Sequence, residues 1–111
     1  MLLGIQVSTA GKIYESLERA HNLGCNTMQI FSRNPKSWRV NSLEPRDIEE
    51  FHKRELKYKI RPIFLHIPYL INLASPNPKL YEASIEAYIE DILEADLLKA
   101  DYLVTHMGSH K

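Results

Sequence analysis

The sequence predicts an α/β fold built on a parallel sheet, and three observations carry that prediction. Short apolar runs alternate with longer amphipathic segments in the order βαβαβαβ. No hairpin signal separates consecutive runs, so neighbouring strands need helical crossovers between them. Two of the apolar runs end in histidine, at His66 and His106, and the carboxyl end of a buried parallel strand is where α/β barrels place their chemistry. With 111 residues, 44% hydrophobic and 25% charged, the chain has material for one domain with a core, and its composition argues against wholesale disorder.

Taken in order, residues 2–7 read as the first strand, followed by the loop Ser8-Thr9-Ala10-Gly11. Residues 12–23 read as a helix, because Ile13, Leu17 and Ala20 recur on one face, and Gly24 suits its C-terminal cap. Residues 26–31 form the second strand, and a polar stretch over 32–39 follows. The second helix starts near Pro45, a residue favoured in a first helical turn. Its acids Asp47, Glu49 and Glu50 come early, and its bases Lys53, Arg54, Lys57 and Lys59 come late, which complements the helix dipole. Residues 63–66 form the third strand, closed by Pro68. Asn77-Pro78 is a cap-plus-proline start for the third helix. There Tyr81, Ile85, Tyr88, Ile89 and Ile92 are expected to face inward, with Glu82, Glu86, Glu90, Asp91 and Glu94 on a solvated face. Residues 101–106 form the fourth strand.

Formal net charge is zero, so nucleic-acid binding would need a local basic patch. The single cysteine, Cys25, excludes an intramolecular disulfide and a thiolate zinc cluster. No run approaches membrane-spanning length, and the opening residues lack a signal-peptide pattern. The expected setting is cytoplasmic.

Two readings fit each candidate site residue. His66 and His106 are either hydrogen-bonded structural histidines or ligands of a shared metal at one end of the sheet. His110 and Gln6 are candidates for supporting positions near it. The loop after the second strand carries Arg33, Lys36 and Arg39 around Trp38. Cations there can neutralise phosphates and an aromatic can stack or wedge at a base step. Trp38 could equally anchor a surface loop in the core. Tyr69 and Leu70, just past His66, either wedge into a distorted duplex or pack the mouth of the sheet.

Four stretches carry a family resemblance. They are Gly4-Ile5-Gln6-Val7-Ser8-Thr9-Ala10-Gly11, Ile30-Phe31-Ser32-Arg33-Asn34-Pro35-Lys36-Ser37-Trp38, His66-Ile67-Pro68-Tyr69-Leu70-Ile71-Asn72-Leu73 and His106-Met107-Gly108-Ser109-His110. In this order they resemble the N-terminal part of the endonuclease IV family, zinc-dependent apurinic/apyrimidinic endonucleases (the deoxyribonuclease IV class). The third stretch is the most specific. The resemblance implies the first half of a (β/α)8 TIM barrel, with residues 1–111 as the N-terminal part of a single endonuclease domain. It implies hydrolysis of the phosphodiester 5′ to abasic sites in duplex DNA, assisted by a trinuclear Zn2+ site. His66 and His106 match zinc ligands, and Lys36, Tyr69 and Leu70 match positions that enter the duplex at the flipped-out abasic nucleotide. Gln6 stands where many members carry histidine, and Lys36 stands where arginine is frequent. The family's metal-binding carboxylates are expected beyond Lys111, so the chain by itself is expected to be an inactive fragment with no catalytic residue of its own. The full-length protein is expected to be a monomer, while the fragment has edges through which it could self-associate. Two alternatives are a metal-dependent sugar isomerase or epimerase barrel, and a non-catalytic half-barrel that binds DNA or itself.

Overall fold

The computed structural model describes residues 1–34, 36–38 and 42–110. It is an α/β half-barrel with element order α1 (Glu15–Asn22), β1 (Met28–Phe31), α2 (Pro45–Tyr58), β2 (Ile63–His66), α3 (Pro78–Leu97) and β3 (Tyr102–Val104). The three strands are parallel in the order β1-β2-β3. Register sets Phe31 opposite His66, and His66 opposite Val104.

Alternation along the strands divides the sheet into two faces. Met28, Ile30, Ile63 and Leu65 point one way and are buried against Leu17 and Ala20 of α1, Phe51 of α2 and Leu98 at the end of α3. Gln29, Phe31, Phe64, His66 and Tyr102 alternate onto the other face, where Phe64 stacks on Tyr102 at 5.0 Å. Among the described residues no helix covers that face, and Tyr102 is 57% exposed. Parallel sheets are ordinarily covered on both sides, so this face is a surface awaiting a second layer or a barrel interior.

The expected first strand is corrected to an irregular edge. Residues 2–7 run parallel to β1, but the ladder is reduced to one bridge, Gln6 with Gln29. Asn26 donates to the Leu3 carbonyl at 3.0 Å, Gln29 to Ile5 at 3.1 Å, and Val7 to the Gln29 carbonyl at 2.8 Å. Asn26 also uses its side chain on Leu3 and Met1, and Gly4 lies so close to Thr27 that a Cβ would collide with its carbonyl oxygen. The segment is held by side-chain and bridge bonds, with Leu2, Leu3 and Ile5 left exposed.

The helix caps follow the sequence closely. At α1, Gly24 in the left-handed region donates to His21 and Cys25 donates to Ala20, the paired bonds of a glycine-capped helix end. Asn77 caps α3 by accepting from Lys79 and Leu80. The face of α3 differs from expectation. Ser84, Ala87, Asp91 and Glu94 are its buried stripe, whereas Tyr81, Ile89 and Ile92 are exposed. Arg33 reaches across from the loop after β1 and bonds to Asp91 and the Ala87 carbonyl on that stripe, while Ser84 accepts from the Asn72 amide.

Candidate functional site

His66 is the last residue of β2 and is held between β1 and β3 by register. Ser32 donates to its carbonyl, and Ile67 continues the ladder onto Val104. The buried His66 ring contacts the Ile67 carbonyl through Nδ1 at 2.6 Å. A carbonyl can only accept, so Nδ1 is the donor in this contact, which orients the ring and leaves Nε2 as the nitrogen toward which a metal would be directed. His106 follows the end of β3 by two residues and is exposed. Its ring centroid lies 5.0 Å from that of His66.

Tyr69 completes the group. Its ring is 6.3 Å from His66 and 6.2 Å from His106, with an edge contact to Phe31 at 5.5 Å. It is 63% exposed, so it stands beside the imidazoles and faces outward. Leu70 is half-buried. The loop holding both folds back onto α3 through a small core of Ile67, Ile71 and Ala87.

Asn72, inside the most specific of the four stretches but given no role by pattern, braces this rim. Its side chain donates to the Ser109 carbonyl at 2.8 Å and accepts from the Ser109 and Ala74 amides at 3.0 and 3.1 Å. Gly108 has φ +92°, and a Cβ there would meet Asn72 Oδ1 at 2.5 Å. Only glycine fits both the conformation and the approach. Tyr88 of α3 reaches Thr105, next to His106, at 2.9 Å. Between the two loops lies a cleft of about 370 Å³ lined by Tyr69, Asn72, His106 and Gly108, among others. The signal that could have found Asn72 is its position shortly after a strand-closing turn, together with a glycine in the loop after the next strand.

The basic loop divides. Lys36 is exposed, and its amide is capped by the Asn34 side chain at 3.0 Å. Trp38 is 41% exposed rather than a core anchor. Arg33 departs from the expectation of a DNA-facing cation: its side chain is 3% exposed and is bonded to Asp91 at 2.7 Å. A buried guanidinium needs a counter-charge, and Asp91 supplies it. Arg39 lies outside the described residues. Gln6 bonds to Gln29 at 2.6 Å, one layer down the sheet from the histidines. His110 is exposed and the structure places it on the rim segment without bringing it to either ring.

The acids with shifted titration around Arg33 lie on α3. Burial raises the Asp91 carboxyl above its usual range, with Arg33 pulling the other way. Glu94 is pushed up to about 8 by burial and then by Asp91. Among the described residues no three histidine, cysteine or carboxylate groups converge on a point that could hold a metal ion. A zinc ion takes about four ligands. His66 and His106, with ring centroids 5.0 Å apart, supply two imidazoles and so fall short of such a set by themselves.

The profile of xylose isomerase-like TIM barrels matches residues 17–111. The chain belongs to this family. Within the barrel family it resembles the N-terminal portion of endonuclease IV. It is 37% identical over 110 residues to a probable endonuclease 4 of Halothermothrix orenii, covering 99% of this chain and 40% of that one. It is 42% identical over 111 residues to a probable endonuclease 4 of Methanoculleus marisnigri, covering 100% and 39%. The crystal structure of endonuclease IV from Thermus thermophilus superposes with a TM-score of 0.90 at 34% identity, over 97% of this chain and 40% of that one. A D-psicose 3-epimerase shares the barrel fold, with a TM-score of 0.73 at 14% identity. The chain thus spans about two fifths of the length of the curated relatives it matches.

Proposed function

We propose that the protein is a DNA repair endonuclease that hydrolyses the phosphodiester 5′ to abasic sites in duplex DNA with zinc, acting as a cytoplasmic monomer at full length. Residues 1–111 would form the N-terminal part of its barrel domain. The observation that carries the reading is the rim geometry: the His66 ring, its Nδ1 held by the Ile67 carbonyl, has its centroid 5.0 Å from that of His106, beside an outward-facing Tyr69 and on the same sheet end as the loop bearing Lys36.

His66 and His106 would hold zinc, which when bound supplies Lewis acidity toward a phosphoryl oxygen. The chain's own groups do the positioning. Lys36 neutralises a backbone phosphate. Tyr69 and Leu70 occupy the space left when the abasic nucleotide leaves the helix, a step made easy because a sugar without a base has little stacking to lose. Trp38 offers an aromatic surface beside Lys36. The Ile67 carbonyl holds the His66 proton on Nδ1. With two imidazoles and no converging carboxylate among the described residues, the segment alone is proposed to bind abasic DNA without cutting it.

The test uses a duplex with a single tetrahydrofuran abasic site. The chain extended by the coding sequence downstream of Lys111 is expected to incise it 5′ to the lesion with zinc, and His66→Ala or His106→Ala to lower incision at least about 100-fold. Absence of incision by the extended protein under every metal condition would sink the reading.

A further inference from the structure

We propose that Arg33 is a positioning residue, whose guanidinium, locked onto Asp91 of α3, sets the pose of the loop carrying Lys36 and Trp38. The proposal rests on the reading of that loop as a DNA contact. Nε and Nη2 both donate to Asp91 Oδ1, at 3.0 and 2.7 Å. Nη2 also reaches the Ala87 carbonyl at 3.1 Å and Glu90 at 3.3 Å. The remaining arm, Nη1, donates to the Trp38 carbonyl at 3.0 Å. One side chain therefore ties the Trp38 backbone to α3. Within the turn, Ser37 donates to the Asn34 carbonyl at 3.0 Å, and Asn34 caps Lys36. These bonds brace the turn internally, while the guanidinium ties it to α3.

The planar fork matters because one arm faces the helix while another faces the loop. A lysine ammonium at position 33 keeps the charge but cannot present donors in both directions at those separations. Asp91 is fully buried, so losing the guanidinium would leave a buried carboxylate without its counter-charge.

Trp38 is the only tryptophan in the chain, so its fluorescence reports the loop directly. Arg33→Lys and Asp91→Asn are expected to shift Trp38 emission to the red, to raise its quenching by acrylamide, and to weaken binding to a labelled tetrahydrofuran duplex about tenfold. The slope of affinity against salt should stay near wild type, because Lys36 keeps its charge. Lys36→Ala should instead lower that slope by about one unit while leaving Trp38 emission unchanged. Asp91→Glu, which retains the counter-charge, serves where Asp91→Asn fails to fold, and should give an intermediate Trp38 signal. Were Arg33 itself a phosphate contact, removing Asp91 would free its cation and tighten binding. Tighter binding by Asp91→Asn, or a Trp38 signal unmoved in folded Arg33→Lys and Asp91→Glu, would overturn the proposal. If wild type ignores abasic DNA, the DNA reading fails, while the Trp38 response still decides whether Arg33 sets the loop.

Discussion

Glu94 is 8% exposed. Burial and the nearby Asp91 push its carboxyl up to about 8, from 4.5 in an unfolded chain. Between those values the folded protein holds a proton that the unfolded chain releases. Stability is therefore fully present below about pH 4.5 for this group, and falls as pH rises toward 8, by up to ~1.4 kcal/mol per pH unit for one fully coupled proton. Asp91 and Glu55 are raised as well and act with the same sign. Urea midpoints are expected to be higher at about pH 5.5 than at about pH 8, and Glu94→Gln should flatten the dependence; identical pH profiles for the two proteins would contradict this. Asp91 reads from the sequence as a solvated acid because its partner, Arg33, is 58 residues away, and Glu94 groups with it by periodicity. Periodicity sees only one helix, so it ranks the isoleucines as the inward face. A long-range ion pair such as Arg33 with Asp91 leaves no local trace in the pattern. The position of His66 was more legible, since its apolar run stops where β2 ends; the strand expected over 101–106 stops at Val104 and leaves His106 two residues beyond it.

At the level of elements, α1 and α3 end in the same pair of backbone bonds. Gly24 occupies the left-handed position in one and Lys99, at φ +52°, in the other. At α3, Lys99 donates to Asp96 and Ala100 to Ala95. A side chain in that region costs about 1–2 kcal/mol, partly offset by the greater freedom glycine gives the unfolded chain. Lys99→Gly is expected to raise stability by about 0.5–1 kcal/mol in urea denaturation, and a loss would show that the Lys99 side chain contributes something to the cap. The Gly24 cap and the Asn77-Pro78 start were readable because those residue types suit such positions, whereas lysine at a left-handed position carries no signal. The strand at 63–66 matched to the residue. The first strand did not, since its apolar pattern describes residues suited to a ladder but not whether a neighbour lies on both sides to complete one.

For the whole molecule, the α/β order and parallel sheet were legible from alternation alone, and the layer missing from the open face was not. That face, together with Ile89, Ile92 and Leu93 at 53%, 44% and 59% exposure, leaves apolar side chains open to solvent, and such surface favours association. The 111-residue chain is expected to associate with rising concentration in sedimentation analysis, and the double variant Ile89→Glu, Ile92→Lys to shift it toward monomer. A wild-type chain that stays monomeric throughout would remove this expectation. The Asn72 bonds to Ser109 have a consequence for timing. They join backbone segments 37 residues apart, so the entropy of bringing the two loops together, on the order of 1 kcal/mol or more per ordered residue, is lost while the chain folds. An incoming ion or phosphate then meets a jaw already set, and its capture rate should follow diffusion and charge rather than the slower search of two loose loops for each other.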